Sequence, residues 1–286
     1  MRRMVVVHAH PDDEALFTGG ILARYASEGA HVCLVTCTNG ELGEIADVPE
    51  LGTIEEIRPR LAEVRLAELA DACGALGLRD VRPLGYHDSG MAGTDGNLDP
   101  VAFINQDLTD VADRLVQVYR EVRPQVVVTY NEFGFYGHPD HIRAHEAALR
   151  AIELSRDGSY RPDLGPAHAV SKLYFTAIPK SALRAFVAAA TEWGAEHADA
   201  SMTEEEAERI GTDDQLVTTA VDVSSFVSHK LRALRAHRTQ LGTMAPFLAI
   251  PEEWLSVALA TEHFVLVGQS NPGATESDLF EGLPEA

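Results

Sequence analysis

Few cysteines, few bases and no long apolar run mark this chain, and each shortage removes a class of protein. Three cysteines in 286 residues (Cys33, Cys37 and Cys73) make a poor disulfide framework for a chain of this size. Cys33 and Cys37 lie in a β-branched apolar run, where the thiol behaves as a small buried hydrophobe. No Cys-x-x-Cys pair offers a thiolate metal or redox site. Bases number 23 against 44 acids, a formal net charge of −21. A polyanion such as DNA, or an anionic membrane surface, is repelled at long range by that charge, so neither is expected as a partner. The acidity is densest over 192–214, where Glu204, Glu205, Glu206 and Glu208 read as a solvated helix face or loop. No apolar stretch approaches the roughly 18–20 residues of a bilayer span. Near the start only Met4–Val7 is apolar before His8 and His10 interrupt, shorter than a signal-peptide core of about 7–15 residues, so the expected location is the cytoplasm. Also missing are a Gly-x-Ser-x-Gly nucleophile elbow, a Walker-type phosphate loop and a Gly-x-Gly-x-x-Gly after the first strand.

What is present is a globular pattern, 45% hydrophobic and without low-complexity tracts. Strand-like and helix-like segments alternate in the first half. Strands are expected over Met4–Ala9, His31–Thr38, Val81–Tyr86 and Gln125–Tyr130; helices over Ala15–Glu28, Ile57–Leu76, Val101–Val122 and Pro139–Ser155. The second half predicts strands at Ser171–Ile178, Leu216–Val223 and His263–Val267, with helices at Lys180–Ala195 and Ser224–Gln240. Such alternation predicts βαβ units and a mostly parallel, Rossmann-like α/β sheet flanked by helices. Val5–Val7 and Val126–Val128 are continuously apolar, as befits strands covered on both faces. The expected organisation is a single domain over 1–286. Its core spans about 1–155, a C-terminal α/β elaboration about 156–268, and a loose tail 269–286. Gly19 and Gly20, inside the first helix, are read as a close-packing contact.

In open α/β sheets, ligands collect beyond the carboxyl ends of the strands, and there the polar residues gather. His8-Ala9-His10-Pro11-Asp12-Asp13-Glu14 follows the first strand, and His87-Asp88-Ser89-Gly90 the third. Asn131, Gly134, Tyr136 and Gly137-His138-Pro139-Asp140-His141 follow the fourth. Imidazole and carboxylate without thiolate suit zinc or another first-row divalent ion, and a catalytic site keeps three protein ligands and leaves a position for water. His10, Asp13 and His141 supply that number, and Asp12 is placed as the acid/base group beside them. Two alternatives stay open: a ligand role for His8, two residues before His10, and a His141/His145 clip on one helix face. Asp140 reads as a helix-start carboxylate or a support to a ligand, and His31, His168, His197 and His229 as surface or core residues.

His-Pro-Asp-Asp-Glu at 10–14 with His-Pro-Asp-His at 138–141 resembles the LmbE-like, or PIG-L, family of metal-dependent N-acetylglucosaminyl deacetylases. Three further segments are similar to that family's mycothiol branch: Thr36-Cys37-Thr38 through Gly43-Glu44, Asp88–Thr94, and Ala236-His237-Arg238-Thr239-Gln240. The resemblance implies one zinc ion per chain (Fe2+ or another divalent ion being the alternative) on His10, Asp13 and His141. It implies Asp12 as general base, with His138 assisting the tetrahedral intermediate or the leaving amine and Tyr136 near the oxyanion. Arg65, Asp88 and Glu44 are implied at the hydroxyls of an amino-sugar substrate. The implied reaction is hydrolysis of the N-acetyl amide of N-acetylglucosaminyl-inositol. Rival readings are an amidase of mycothiol S-conjugates, a deacetylase of a glycosylated natural product, and a non-catalytic sugar- or metal-binding protein. Ala15, Phe17 and Asn131–Phe135 depart from the family's pattern at the border of the pocket.

Overall fold

The computed structural model describes residues 1–194, 203–242, 251–268 and 276–284. Its strands are β1 (Arg3–His8), β2 (His31–Thr38), β3 (Asp80–Tyr86), β4 (Val126–Thr129), β5 (Lys172–Ala177), β6 (Thr219–Asp222) and β7 (Thr261–Leu266). They form one seven-stranded sheet in the order β3-β2-β1-β4-β5-β7-β6. The first five run parallel, and β7 is antiparallel to both β5 and β6. The mostly parallel α/β sheet expected from the alternation is therefore present, and its antiparallel edge comes from the C-terminal half.

The helices are α1 (Asp13–Ser27), α2 (Ile54–Ile57), α3 (Leu61–Leu76), α4 (Leu108–Val122), α5 (Gly134–Gly137), α6 (Pro139–Ser155), α7 (Lys180–Gly194), α8 (Glu204–Ile210), α9 (Val227–Ala236) and α10 (Glu252–Ala258). α1, α3 and α9 cover one face of the sheet, burying Met4, Val6, Leu34 and Val128. α4 and α6 cover the other, burying Val5, Val7, Val35 and Val127. Successive residues of a strand point to opposite faces, so a strand with helices on both sides is apolar throughout. None of the described helices is long and apolar enough to cross a membrane.

Several boundaries differ from the sequence reading for local reasons. The helix expected from Ile57 begins at Leu61. Thr53 and Glu56 form a capping box that starts the separate α2, and Pro59 lies in a 3-10 turn between the two. The helix expected from Val101 begins at Leu108, because Asp107 accepts the amides of Thr109 and Asp110 as an N-cap. The stretch read as one helix over Ser224–Gln240 is α9 with a 3-10 turn at each end. The acidic run contains α8, opened by a Thr203–Glu206 capping box. Ala195 lies outside the described residues.

The pair Gly19-Gly20 does mark a close contact. A Cβ on Gly20 would stand 2.5 Å from Val223 Cγ2, and one on Gly19 would stand 3.0 Å from Lys230 Cγ. The tail needs correction over 276–284, which is docked rather than loose. Leu279 and Phe280 are buried, and Glu276 accepts from the Tyr174 hydroxyl and from Lys172 Nζ at 2.7 Å each. A tail rich in glycine, proline and acids carried no periodic signal for these two anchors. Residues 269–275 and 285–286 lie outside the described residues.

Candidate active site

β1 and β4 are neighbours, yet the chain leaves β1 toward β2 on one side and returns to β4 on the other. Their carboxyl ends flank a topological switch point, the crevice where such sheets bind ligands. Both His-Pro-Asp turns open there. His10 Nδ1 stands 3.3 Å from His141 Nε2, and Asp13 Oδ2 stands 3.5 Å from each of those nitrogens. Donors about 2.0–2.2 Å from a tetrahedral zinc-type ion lie about 3.3–3.6 Å apart, so these three atoms fit three corners of such a site. Asp13 Oδ2 is aimed by two donors, the His10 amide and the Tyr130 hydroxyl, each at 2.7 Å. The Tyr130 ring in turn stacks on His141, centroids 4.2 Å apart.

The far side of His10 is held by carboxylates. Its Nε2 lies 3.2 Å from Asp140 Oδ2 and 3.7 Å from Asp88 Oδ1. A carboxylate behind an imidazole keeps the proton on that nitrogen and frees the other to bind a cation. The loop after β3 completes the support: Asp140 accepts the Ser89 amide at 2.9 Å, and Asp88 accepts those of Gly90 and Leu42. Two other groupings also bring their ligand atoms within 4.8 Å of one another: His10 with His138 and His141, and His10 with Asp88, His138 and Asp140. His138, however, is the N-cap of α6, and its Nδ1 accepts the Asp140 amide at 3.1 Å. A neutral imidazole with its lone pair on Nδ1 carries its proton on Nε2, so His138 offers the site a donor rather than a ligand.

Charge follows the same division. Burial pushes His138 down to about 4 and His141 down to about 3, leaving both neutral at pH 7. Burial also opposes a charge on His10, but Asp88, Asp13 and Asp140 outweigh it and hold the His10 proton well above the ordinary range. Asp13 is likewise disfavoured by burial as an anion, yet His141 and His10 pull it well below the usual carboxylate range. Three buried carboxylates thus converge on one imidazole, a pattern that favours a cation.

Asp12 stands beside the triangle with φ 129° and ψ −29°, a backbone state that costs a non-glycine residue about 1–3 kcal/mol. Its side chain keeps 24% exposure, while Arg65, whose Nη2 lies 3.1 Å from Asp12 Oδ2, has 3%. Burial raises the Asp12 carboxyl to about 6 against the pull of Arg65, a value suited to a base working near neutrality. The half-buried Tyr136 points its ring edge toward His141, centroids 4.9 Å apart. It follows Phe135, which has φ 66°.

The other residues singled out from the sequence divide. Asp88 is at the site. Arg65 is there too, but its Nη1 and Nη2 are engaged by the Gly40 and Pro11 carbonyls at 2.6 and 2.5 Å, so it braces the first turn from below. Glu44 is exposed on the loop after β2, and among the described residues its carboxylate has no hydrogen bond or ion pair; its carbonyl accepts from Gln240 at 3.0 Å. His8 is buried against Tyr130 and Thr18, and His145 is turned to the Tyr130 carbonyl at 2.8 Å. Neither joins the triangle. Sequence reading missed Tyr130, taken only as the end of a strand. It also missed the buried pair of Glu14 and His237, 2.6 Å apart. The one signal for that pair was the Ala236–Gln240 segment.

A cation-favouring triangle with an ionisable base at its side is the equipment of hydrolases that activate water. Residues 5–152 match the model of the PIG-L family, GlcNAc-PI de-N-acetylase. The chain belongs to this family of N-deacetylases, as the two His-Pro-Asp motifs implied. It is 46% identical to a 1D-myo-inositol 2-acetamido-2-deoxy-alpha-D-glucopyranoside deacetylase 1 of Catenulispora acidiphila, over 99% of this chain and 90% of the relative. N,N'-diacetylchitobiose deacetylase of Pyrococcus horikoshii shares the fold with a TM-score of 0.61 at 18% identity, over 93% of this chain and 83% of that one. GalB, the 4-carboxy-2-hydroxymuconate hydratase of Pseudomonas putida, shares it with a TM-score of 0.63 at 20% identity, over 94% and 97%. One fold thus serves different reactions, and function has to be argued from the site.

Proposed function

We propose that the chain hydrolyses the N-acetyl amide of an N-acetylglucosaminyl-inositol, with one zinc-type ion held by His10, Asp13 and His141. One observation carries the reading: donor atoms 3.3–3.5 Å apart from two turns, with the exposed carboxylate of Asp12 beside them. The choice of sugar and aglycone rests on the likeness to the inositol-glycoside deacetylase at 46% identity. The donor set suits zinc, and suits Fe2+ or another first-row divalent ion as well. Such an ion, when bound, lowers the pKa of a coordinated water to about 7 and polarises a carbonyl.

The protein's own groups then divide the work. Asp12 takes a proton from the water that attacks the amide carbon. The Tyr136 hydroxyl and His138 Nε2–H donate to the oxygen of the tetrahedral adduct. Asp12 returns its proton to the sugar nitrogen, the C–N bond breaks, and acetate leaves a free amine. A neutral His138, its Nδ1 tied to the Asp140 amide, is a hydrogen-bond donor to the adduct rather than the acid for the amine. Asp88 and Glu44 contact sugar or inositol hydroxyls. Arg65, with both terminal nitrogens engaged, is assigned to Asp12 instead. The chain is read as acting on a soluble amino sugar in the cytoplasm.

Amine release with zinc added, compared over N-acetylglucosamine, N-acetylglucosaminyl-inositol and a mycothiol S-conjugate, tests the substrate. Release is expected to be fastest from the inositol glycoside. Preference for the conjugate makes the chain an amidase, and no release from any of them leaves a binding protein. Asp12→Ala is expected to retain zinc and lose about 10²–10⁴-fold in turnover, whereas His10→Ala loses zinc. Full zinc occupancy in His10→Ala sinks the ligand assignment.

A further inference from the structure

The peptide that joins Pro11 to Asp12 is gripped at both ends by buried side chains from distant parts of the chain. Its carbonyl accepts from Arg65 Nη2 at 2.5 Å. Its N–H donates to Glu14 Oε2 at 3.0 Å. The other oxygen of Glu14 lies 2.6 Å from His237 Nε2, and both Glu14 and His237 are fully buried. His237 follows α9, and its Nδ1 is buried with no partner among the described residues, so Glu14 is the polar tie of that ring. The next residues anchor the segment: Thr239 donates its amide and hydroxyl to Glu68 at 2.8 and 2.6 Å, and its carbonyl accepts the Ala46 amide at 2.7 Å.

A peptide held at its carbonyl and at its N–H cannot rotate, and the rotation it is denied is the one that would relax φ of Asp12. A strained non-glycine residue persists only where its surroundings over-determine it. The direction of the Asp12 carboxylate depends on that φ. We infer that His237 is a positioning residue: through Glu14 it locks the Pro11–Asp12 peptide, and so aims the base at the attacking water. The inference rests on the reading of Asp12 as base. It gives the C-terminal elaboration a part in catalysis, although the proposed ligands and the base all lie between residues 10 and 141.

A double-mutant cycle between His237 and Asp12 decides it, using N-acetylglucosaminyl-inositol with zinc in excess. His237→Ala is expected to lower kcat about 10–100-fold with KM and bound zinc nearly unchanged, the scale of loss that misplacing a reacting group by about 1 Å produces. His237→Gln, which keeps a donor to Glu14, restores most of the rate. In an Asp12→Ala background His237→Ala brings no further loss. Losses that multiply in the double variant, or zinc lost with His237→Ala, overturn the inference while the base assignment stands. Unchanged turnover in Asp12→Ala overturns the base assignment, and the inference with it. If His237→Ala does not fold, His237→Leu, which fills the space of the ring without a donor, carries the same cycle.

Discussion

Asp12 concentrates the residue-scale chemistry: a carboxylate at an unfavourable backbone angle, a quarter exposed, between an arginine and a donor triangle. Its pH behaviour follows from sign. A base works only when ionised, and burial has raised this carboxyl to about 6, so protons reoccupy it as pH falls through that value. The profile of kcat/KM is expected to drop about tenfold per pH unit below a limb at or under pH 6. His138 and His141, held near 4 and 3, titrate below that limb. A limb at pH 7 or above would assign the base to another group. At this scale the sequence was most legible where residue types are rare and paired. Two His-Pro-Asp turns located the triangle, because imidazole and carboxylate have no reason to cluster at the ends of apolar strands. Tyr130 and His237 were not legible. Tyr130 looks like any aromatic at a strand end, and His237 meets Glu14 across 223 positions of sequence, a distance no local pattern reports.

The elements show where periodicity succeeds and where local chemistry overrides it. β2 and α6 have the bounds the pattern predicted, His31–Thr38 and Pro139–Ser155, and α6 starts at a proline already set for a first turn. α3 and α4 begin later than their apolar spacing suggests, since Pro59 and the Asp107 cap set the start. α1 contains a test of packing against propensity. Alanine favours helix over glycine by about 1 kcal/mol, but a methyl on Gly20 would strike Val223 Cγ2 at 2.5 Å. Gly20→Ala is therefore expected to destabilise the fold by about 1–3 kcal/mol, the usual cost of overpacking, as read by denaturant midpoint. An increase in stability would show that β6 and the turn after it yield freely.

For the whole molecule, the sheet class was legible from alternation, but the antiparallel placement of β7 between β5 and β6 was not. Strand order at an edge is decided by which partner offers free backbone groups, and nothing in a single strand's side chains encodes that. The docked segment 276–284 was hidden for a related reason: its anchors are only Leu279 and Phe280, with Glu276 bound to Tyr174 and Lys172 and Asp278 to Tyr25. Removing residues 276–286 is expected to lower unfolding free energy by about 3–6 kcal/mol, since each buried leucine or phenylalanine contributes about 1.5–3. An unchanged melting curve would mean that the segment only rests on the sheet.

The grip on one peptide from two ends has a consequence for fragments. A piece of chain ending soon after α6 would keep every proposed donor to the ion, the base and Arg65, yet it would lack the histidine that steadies Glu14. It would score as a family member and take up metal, but turn over slowly. Competence for the reaction is thus not coextensive with the recognisable motif: the part of the protein that looks least like an enzyme keeps the other part accurate.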